Sequence, residues 1–231
     1  MDTKNSIAVP AAIVIAGIVI AGAIVYSVGK KATVPVADNG EAAAAASLEQ
    51  MRPVDATDHV RGAGAPLTLV EYTDPECPFC KRFHETMQQV MKEYPGKVAW
   101  AYRHFPLKEL HSKAPNESAA LECAGKLGGN DVFWQYADAL YAATPSNNGL
   151  SPAELPKIAG NLKLDVTAFN ACLTNGDTVK KVESDAADAM ATGGNGTPWS
   201  ILVAKDGKKY PINGAQPIEA LRQLIDMALK G

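Results

Sequence analysis

The run Glu71-Tyr72-Thr73-Asp74-Pro75-Glu76-Cys77-Pro78-Phe79-Cys80-Lys81-Arg82-Phe83-His84 constrains this chain more than any other stretch. An apolar segment carrying Leu67, Leu69 and Val70 feeds a proline-containing turn and two cysteines separated by two residues. Phe79, Phe83, Met87, Val90, Met91 and Tyr94 then recur at helical spacing. The stretch reads as strand, turn, dithiol, helix. With Pro78 as the first helical residue, where a missing N–H costs nothing, Cys77 becomes the N-cap and its sulfur faces backbone N–H groups and the positive end of the helix dipole. A thiolate is favoured there, and the thiolate is the nucleophile. Cys80, about one turn further in, is near enough to close a small disulfide ring and shielded enough to wait as the resolving thiol. Lys81 and Arg82 are expected to lower the Cys77 pKa and Glu76 to raise it, and the sign of the sum stays open at this level.

A C-x-x-C pair also serves structural zinc sites, which need four ligands. The two other cysteines, Cys123 and Cys172, lie 43 and 92 residues beyond Cys80 with no partner at that spacing, so no metal is expected. Covalent haem attachment calls for His directly after the second Cys, where Lys81 stands. The chemistry needs no cofactor beyond the thiols. A net charge of -3 over 231 residues gives no reason to invoke nucleic acid.

The chain splits into three regions. From Asn5 to Gly29 there are 25 uncharged residues rich in Ile, Val, Ala and Gly, more than the roughly 20 needed to cross a bilayer as a helix. Residues 1–29 are read as an uncleaved signal anchor, with a cleaved signal peptide or a buried core helix as the alternatives. Lys4 on one flank and Lys30 and Lys31 on the other leave the orientation ambiguous. Residues 30–62 mix Ala, Pro, Glu and Asp around Glu41-Ala42-Ala43-Ala44-Ala45-Ala46, and read as a linker that Asp58-His59-Val60-Arg61-Gly62 closes. His59 is expected to be structural or exposed.

Residues 63–231 form the folded domain. Val98, Trp100 and Tyr102 alternate with Ala99, Ala101 and Arg103, the period of a strand, so the region from Leu67 to Phe105 is a βαβ unit with parallel strands. A helical insertion at 111–192 follows, with helices predicted over 112–126, 131–143, 151–162, 165–173 and 176–191, and reads as a cap over one end of the sheet. Ser151-Pro152-Ala153-Glu154 has the pattern of a capping box. Asp206-Gly207 sets a hairpin between Ile201-Leu202-Val203 and Tyr210 to Ile212, and Ile218, Leu221, Leu224, Ile225 and Ala228 mark a closing amphipathic helix.

Taken together, Cys77-Pro78-Phe79-Cys80, Tyr102-Arg103-His104-Phe105-Pro106-Leu107, Gly196-Thr197-Pro198 and Asn213-Gly214-Ala215 make the region from Asp58 to Leu229 resemble the bacterial DsbA-like thiol-disulfide oxidoreductases of the thioredoxin superfamily. The resemblance implies an α/β, thioredoxin-like fold: a central mixed sheet flanked by helices, with the helical insertion. It implies that Pro198 is the family's cis-proline beside the dithiol, that Thr197 tunes substrate release and redox poise, and that Glu71 is a buried carboxylate accepting a proton from the second cysteine. Phe79, Pro78 and Trp199 are expected on the substrate surface, with core packing the alternative for Phe79 and Trp199. His84 is expected to tune the pair or to be packed. The resemblance further implies a structural disulfide between Cys123 and Cys172, the alternative being two buried free thiols.

The implied activity is thiol-disulfide exchange with reduced or unfolded secreted proteins, as an oxidase served by a quinone-linked membrane partner, or as a reductase or isomerase served by an electron donor. The catalytic domain is then extracytoplasmic and tethered to the cell membrane. The sequence departs from the best-known member by placing Phe79 where His sits between proline and the second cysteine, which removes a donor to the thiolate. From another class, a thiol-based metal carrier or assembly factor predicts metal retention without turnover.

Overall fold

The computed structural model describes residues 47–230. Among these, five strands form one mixed sheet in the order β1-β3-β2-β4-β5: β1 (His59–Arg61), β2 (Leu67–Thr73), β3 (Val98–His104), β4 (Trp199–Val203) and β5 (Lys209–Asn213). The helices are α1 (Pro78–Glu93), α2 (Ala114–Ala143), α3 (Glu154–Asn161), α4 (Val166–Asn175), α5 (Asp177–Ala191) and α6 (Ile218–Lys230). β2 and β3 pair in parallel across α1, as expected of a βαβ unit, and the remaining pairings are antiparallel. The Asp206-Gly207 hairpin turns with Gly207 at φ 86°, a left-handed conformation that glycine adopts without steric cost.

Alternation along the strands gives the sheet two buried faces. Leu67, Leu69, Trp100 and Tyr102 pack in the core that holds Phe83 and Met87 of α1, Phe133 and Leu140 of α2, and Leu221 and Ile225 of α6. Val70, Tyr72, Ala101 and Ile201 point the other way, into a second cluster with Ala189 of α5. The insertion therefore does more than cap one end of the sheet, because α5 packs on its second face against β2 and β3. Inside α2, Gly129 at φ 81° and ψ -177° breaks the helix, which accounts for the two separate helices predicted over 112–126 and 131–143.

Three expectations need correction. Residues 48–62 belong to the folded unit and not to the linker: Leu48 and Met51 are buried in the second cluster, and β1 pairs with the edge of β3 from His59↔Tyr102 to Arg61↔Trp100. The cause is Asp58, whose buried carboxylate meets the equally buried Arg103 at 2.8 Å, pinning the segment to the sheet. The capping box at Ser151 does not form, since Ala153 is the N-cap of α3 and has no side-chain cap. The apolar stripe of α1 is shifted: Cys80, Phe83, His84, Met87 and Val90 are buried, while Phe79 stands 53% exposed.

The Cys123–Cys172 disulfide is formed, joining α2 to α4. With a sequence separation of 49, it stabilises by about 4 kcal/mol in the chain-entropy model. The apolar stretch 5–29 and the first part of the linker lie outside the described residues. Among the described residues no helix is long and apolar enough to cross a membrane.

Candidate active site

Cys77 is the N-cap of α1 with Pro78 at the first turn, as the local sequence requires. Both thiols are free; Cys77 retains 4% of its surface and Cys80 none. Pro78 and Phe79 are exposed beside them, and the Arg82 guanidinium lies over the Phe79 ring at 5.2 Å. The Thr197–Pro198 peptide bond is cis, and the Thr197 carbonyl accepts from the Cys77 thiol at 3.5 Å. Helix α1 and the turn before β4, 120 residues apart in the chain, thus meet at one sulfur.

The Cys77 thiol is lowered from 9.0 to about 6. Donation from the Cys80 thiol is the largest cause, burial opposes it, and the Thr197 hydroxyl and the backbone N–H groups of Cys80 and Phe79 add to the lowering. Thr197 Oγ1 is buried and has no other hydrogen-bond partner, so its hydroxyl is available to donate to a Cys77 thiolate. Lys81 and Arg82 are not among the causes: Lys81 Nζ donates to the Thr144 carbonyl at 2.6 Å and Arg82 covers Phe79. Glu76 is buried and directs its carboxylate to the backbone N–H groups of Gly149 at 3.3 Å and Leu150 at 3.4 Å, away from the sulfur.

Burial pushes the Cys80 thiol well up, and its hydrogen bond to Cys77 and the charges of Cys77 and Glu71 add to this. The two sulfurs therefore differ strongly in acidity. Glu71 lies in β2 with 1% exposure; burial raises its carboxyl to about 7, against donation from Thr73 and from Trp100 Nε1, the latter at 2.8 Å. A carboxyl near neutrality exchanges its proton readily at physiological pH. Trp199 is corrected from substrate surface to core: it is 9% exposed, packs in the second cluster and donates from Nε1 to Thr192 Oγ1 at 3.0 Å. The pleat of β4 turns it away from the dithiol. His84 is buried, bonded to Asp138 at 2.8 Å and stacked on Tyr141, so it is packed and not placed at either sulfur. His59 stacks on Phe133 at 3.6 Å. Among the described residues no cluster of side chains suits a metal ion.

Several residues of the site escaped the sequence reading. Asp74 accepts from the backbone N–H of Glu76 at 2.8 Å and of Leu107 at 2.7 Å, and bonds His111 at 2.9 Å, fixing the turn before the dithiol. Glu117 of α2 is buried, and burial together with the neighbouring Glu76 pushes its carboxyl up to about 9. Thr73 and Tyr141 join hydroxyls at 2.9 Å below Cys80. A run of Thr-Asp-Pro-Glu before the first cysteine was a visible signal for Asp74. Nothing local marks Glu117 or Tyr141.

With its folded thiol at about 6 and its ordinary value at 9.0, Cys77 lends the reduced protein stability that is fully present above the ordinary value and is lost as pH falls through about 6. The expected result is a thiolate absorbance at 240 nm, and a matching alkylation rate, that rises with one midpoint near pH 6. A midpoint near 9 would contradict the geometry just described.

A family model described as Thioredoxin matches residues 55–227. The crystal structure of Pseudomonas aeruginosa DsbA2 superposes with a TM-score of 0.65 at 28% identity, covering 76% of this chain and 96% of that one. Oxidised BdbD from Bacillus subtilis gives a TM-score of 0.68 at 22% identity over 78% of this chain and 97% of its own, a likeness of fold. Among curated proteins, the Na(+)/H(+) antiporter NhaA 1 of Salinispora arenicola is 32% identical over 186 residues, 80% of this chain. The chain spans only 27% of that relative's length.

Proposed function

The chain belongs to the thioredoxin family, and from that premise we propose that it is a thiol-disulfide oxidoreductase that acts as an oxidase on secreted proteins. The observation that carries the reading is the placement of the two sulfurs: Cys77 caps α1 against the cis Thr197–Pro198 turn while Cys80 is fully enclosed behind it, which lowers the first thiol and pushes the second well up. A thiolate stabilised at Cys77 favours the dithiol over the disulfide, which makes the disulfide form the better electron acceptor.

The exchange runs in two displacements. A client thiolate attacks Cys77 sulfur, the Cys77–Cys80 bond breaks, and Cys80 leaves as a thiolate that takes up a proton. A second client thiolate attacks the client sulfur of the mixed disulfide, forming the client disulfide and releasing Cys77 as a thiolate. Two electrons pass from client to enzyme, and the lowered pKa of Cys77 makes it a good leaving group. Exposed Pro78 and Phe79 supply apolar surface for a client beside the sulfur. Reoxidation of Cys77 and Cys80 falls to a membrane redox partner, quinone-linked in this reading. Residues 1–29 hold the domain at the cell membrane, on its extracytoplasmic side.

Equilibration of the Cys77/Cys80 couple against glutathione tests the direction. An oxidase requires a potential well above that of thioredoxin; a value as low as about -270 mV would rule it out in favour of the reductase.

A further inference from the structure

Ser146, Asn147 and Asn148 follow one another in left-handed backbone, at φ 66°, 53° and 64°. L side chains crowd the main chain there, and such residues persist only where their surroundings hold them, most often at sites that bind or react. Both flanks of the dithiol hold this loop. The carbonyl of Glu76, the residue bonded to Cys77, accepts the Asn147 N–H at 2.8 Å, and its buried carboxylate takes the N–H groups of Gly149 and Leu150. Lys81, directly after Cys80, donates to the Thr144 carbonyl at 2.6 Å. A carboxylate shut away from water needs such donors, so the loop and the turn before Cys77 hold each other in place.

The three left-handed residues differ in what their side chains do. Ser146 is buried. Asn148 accepts from the Lys113 N–H at 3.1 Å and donates to the Leu110 carbonyl at 3.1 Å, which fixes the loop to the segment that leads into α2. Asn147 is exposed, and its side-chain amide makes no hydrogen bond within the described residues. That amide carries the donor and acceptor of a peptide group. Asn147 is therefore held one hydrogen bond from the residue before the nucleophile, and it presents to solvent a group that matches main chain.

We propose that Asn147 is a specificity residue for exchange with polypeptides: its side-chain amide pairs with a peptide group of the client beside the cysteine that attacks Cys77. The chain it selects is extended and unfolded, with its main-chain groups open, and is read without regard to side-chain identity. Glu76 and Lys81 act as positioning residues, since they fix the loop that carries Asn147. The proposal rests on the oxidoreductase reading above and names the feature of the client that this site recognises.

The oxidised protein is mixed with a short uncharged peptide carrying one central cysteine, or with 2-mercaptoethanol, which has no peptide group. Loss of the Cys77–Cys80 disulfide is then followed by acid quench, alkylation and mass. In Asn147→Gly, where glycine takes the left-handed backbone without steric cost, the ratio of the two second-order rate constants, peptide over 2-mercaptoethanol, should fall about two- to tenfold, the worth of one hydrogen bond. Asn147→Ala should show the same fall. N-methylating the peptide bonds on either side of the cysteine, which removes their donors, should erase the difference between these variants and the wild type. An unchanged ratio, a loss confined to the glycine variant, or a difference that survives N-methylation would overturn the assignment of Asn147. Failure of either thiol to reduce the wild-type protein would instead overturn the oxidoreductase reading.

Discussion

Cys77→Ser should reduce the oxidation of a reduced client to the uncatalysed background, whereas Cys80→Ser, mixed with a client that carries a disulfide, should accumulate the client covalently on Cys77 as its thiolate expels one client sulfur. The asymmetry follows from the geometry. Cys77 alone keeps contact with solvent and has its anion stabilised, by the Cys80 thiol above all; serine at that position stays un-ionised at neutral pH and cannot attack a disulfide. Cys80 is completely enclosed and its thiol is pushed well up, so it acts only on a sulfur already attached to Cys77. Mass spectrometry of the quenched reaction reads both outcomes. An adduct on Cys80 in the Cys77→Ser variant, or client oxidation above background, would assign the roles wrongly.

Arg103→Met should lower the unfolding free energy by about 3–5 kcal/mol, the cost of leaving buried charges without their partner. Arg103 is wholly buried and its guanidinium meets Asp58 at 2.8 Å, Asp188 at 2.6 Å and the carbonyls of Arg52 and Pro53 at 2.9 and 3.0 Å. The lower end of the range is expected, because Asp58 keeps Arg52 at 3.3 Å and Asp188 keeps the Tyr72 hydroxyl at 2.6 Å. Urea unfolding measures the change. Arg103 lies on the face of β3 opposite Tyr102 and Trp100, so the Cys77 titration should not move. A loss below about 1 kcal/mol would reduce the network to the weight of a surface pair.

Much of the fold was legible because its signals are local. The strand period of residues 98–104, the break at Gly129 inside α2 and the Asp206-Gly207 turn each depend on a few consecutive residues. The Cys77 cap and its Pro78 are likewise a one-turn matter. Where reading failed, the deciding contact was distant. Residues 48–62 look like linker by composition and are fixed by Arg103 and by α5. Ser151 has the capping pattern, yet Ala153 takes the N-cap position of α3. Trp199 beside the proline suggested a binding surface, and the hydroxyl of Thr192 draws it into the core.

The sequence by itself determined that a nucleophilic sulfur sits at the mouth of a helix with a second sulfur one turn behind, since backbone dipoles and side-chain periodicity act over neighbouring residues. Only the tertiary structure decided how acidic each sulfur is. Burial, the approach of Thr197 and the carboxyl of Glu71 arise from elements far apart in the chain. Solvation and charge interaction depend on distance through space, and the fold alone sets those distances.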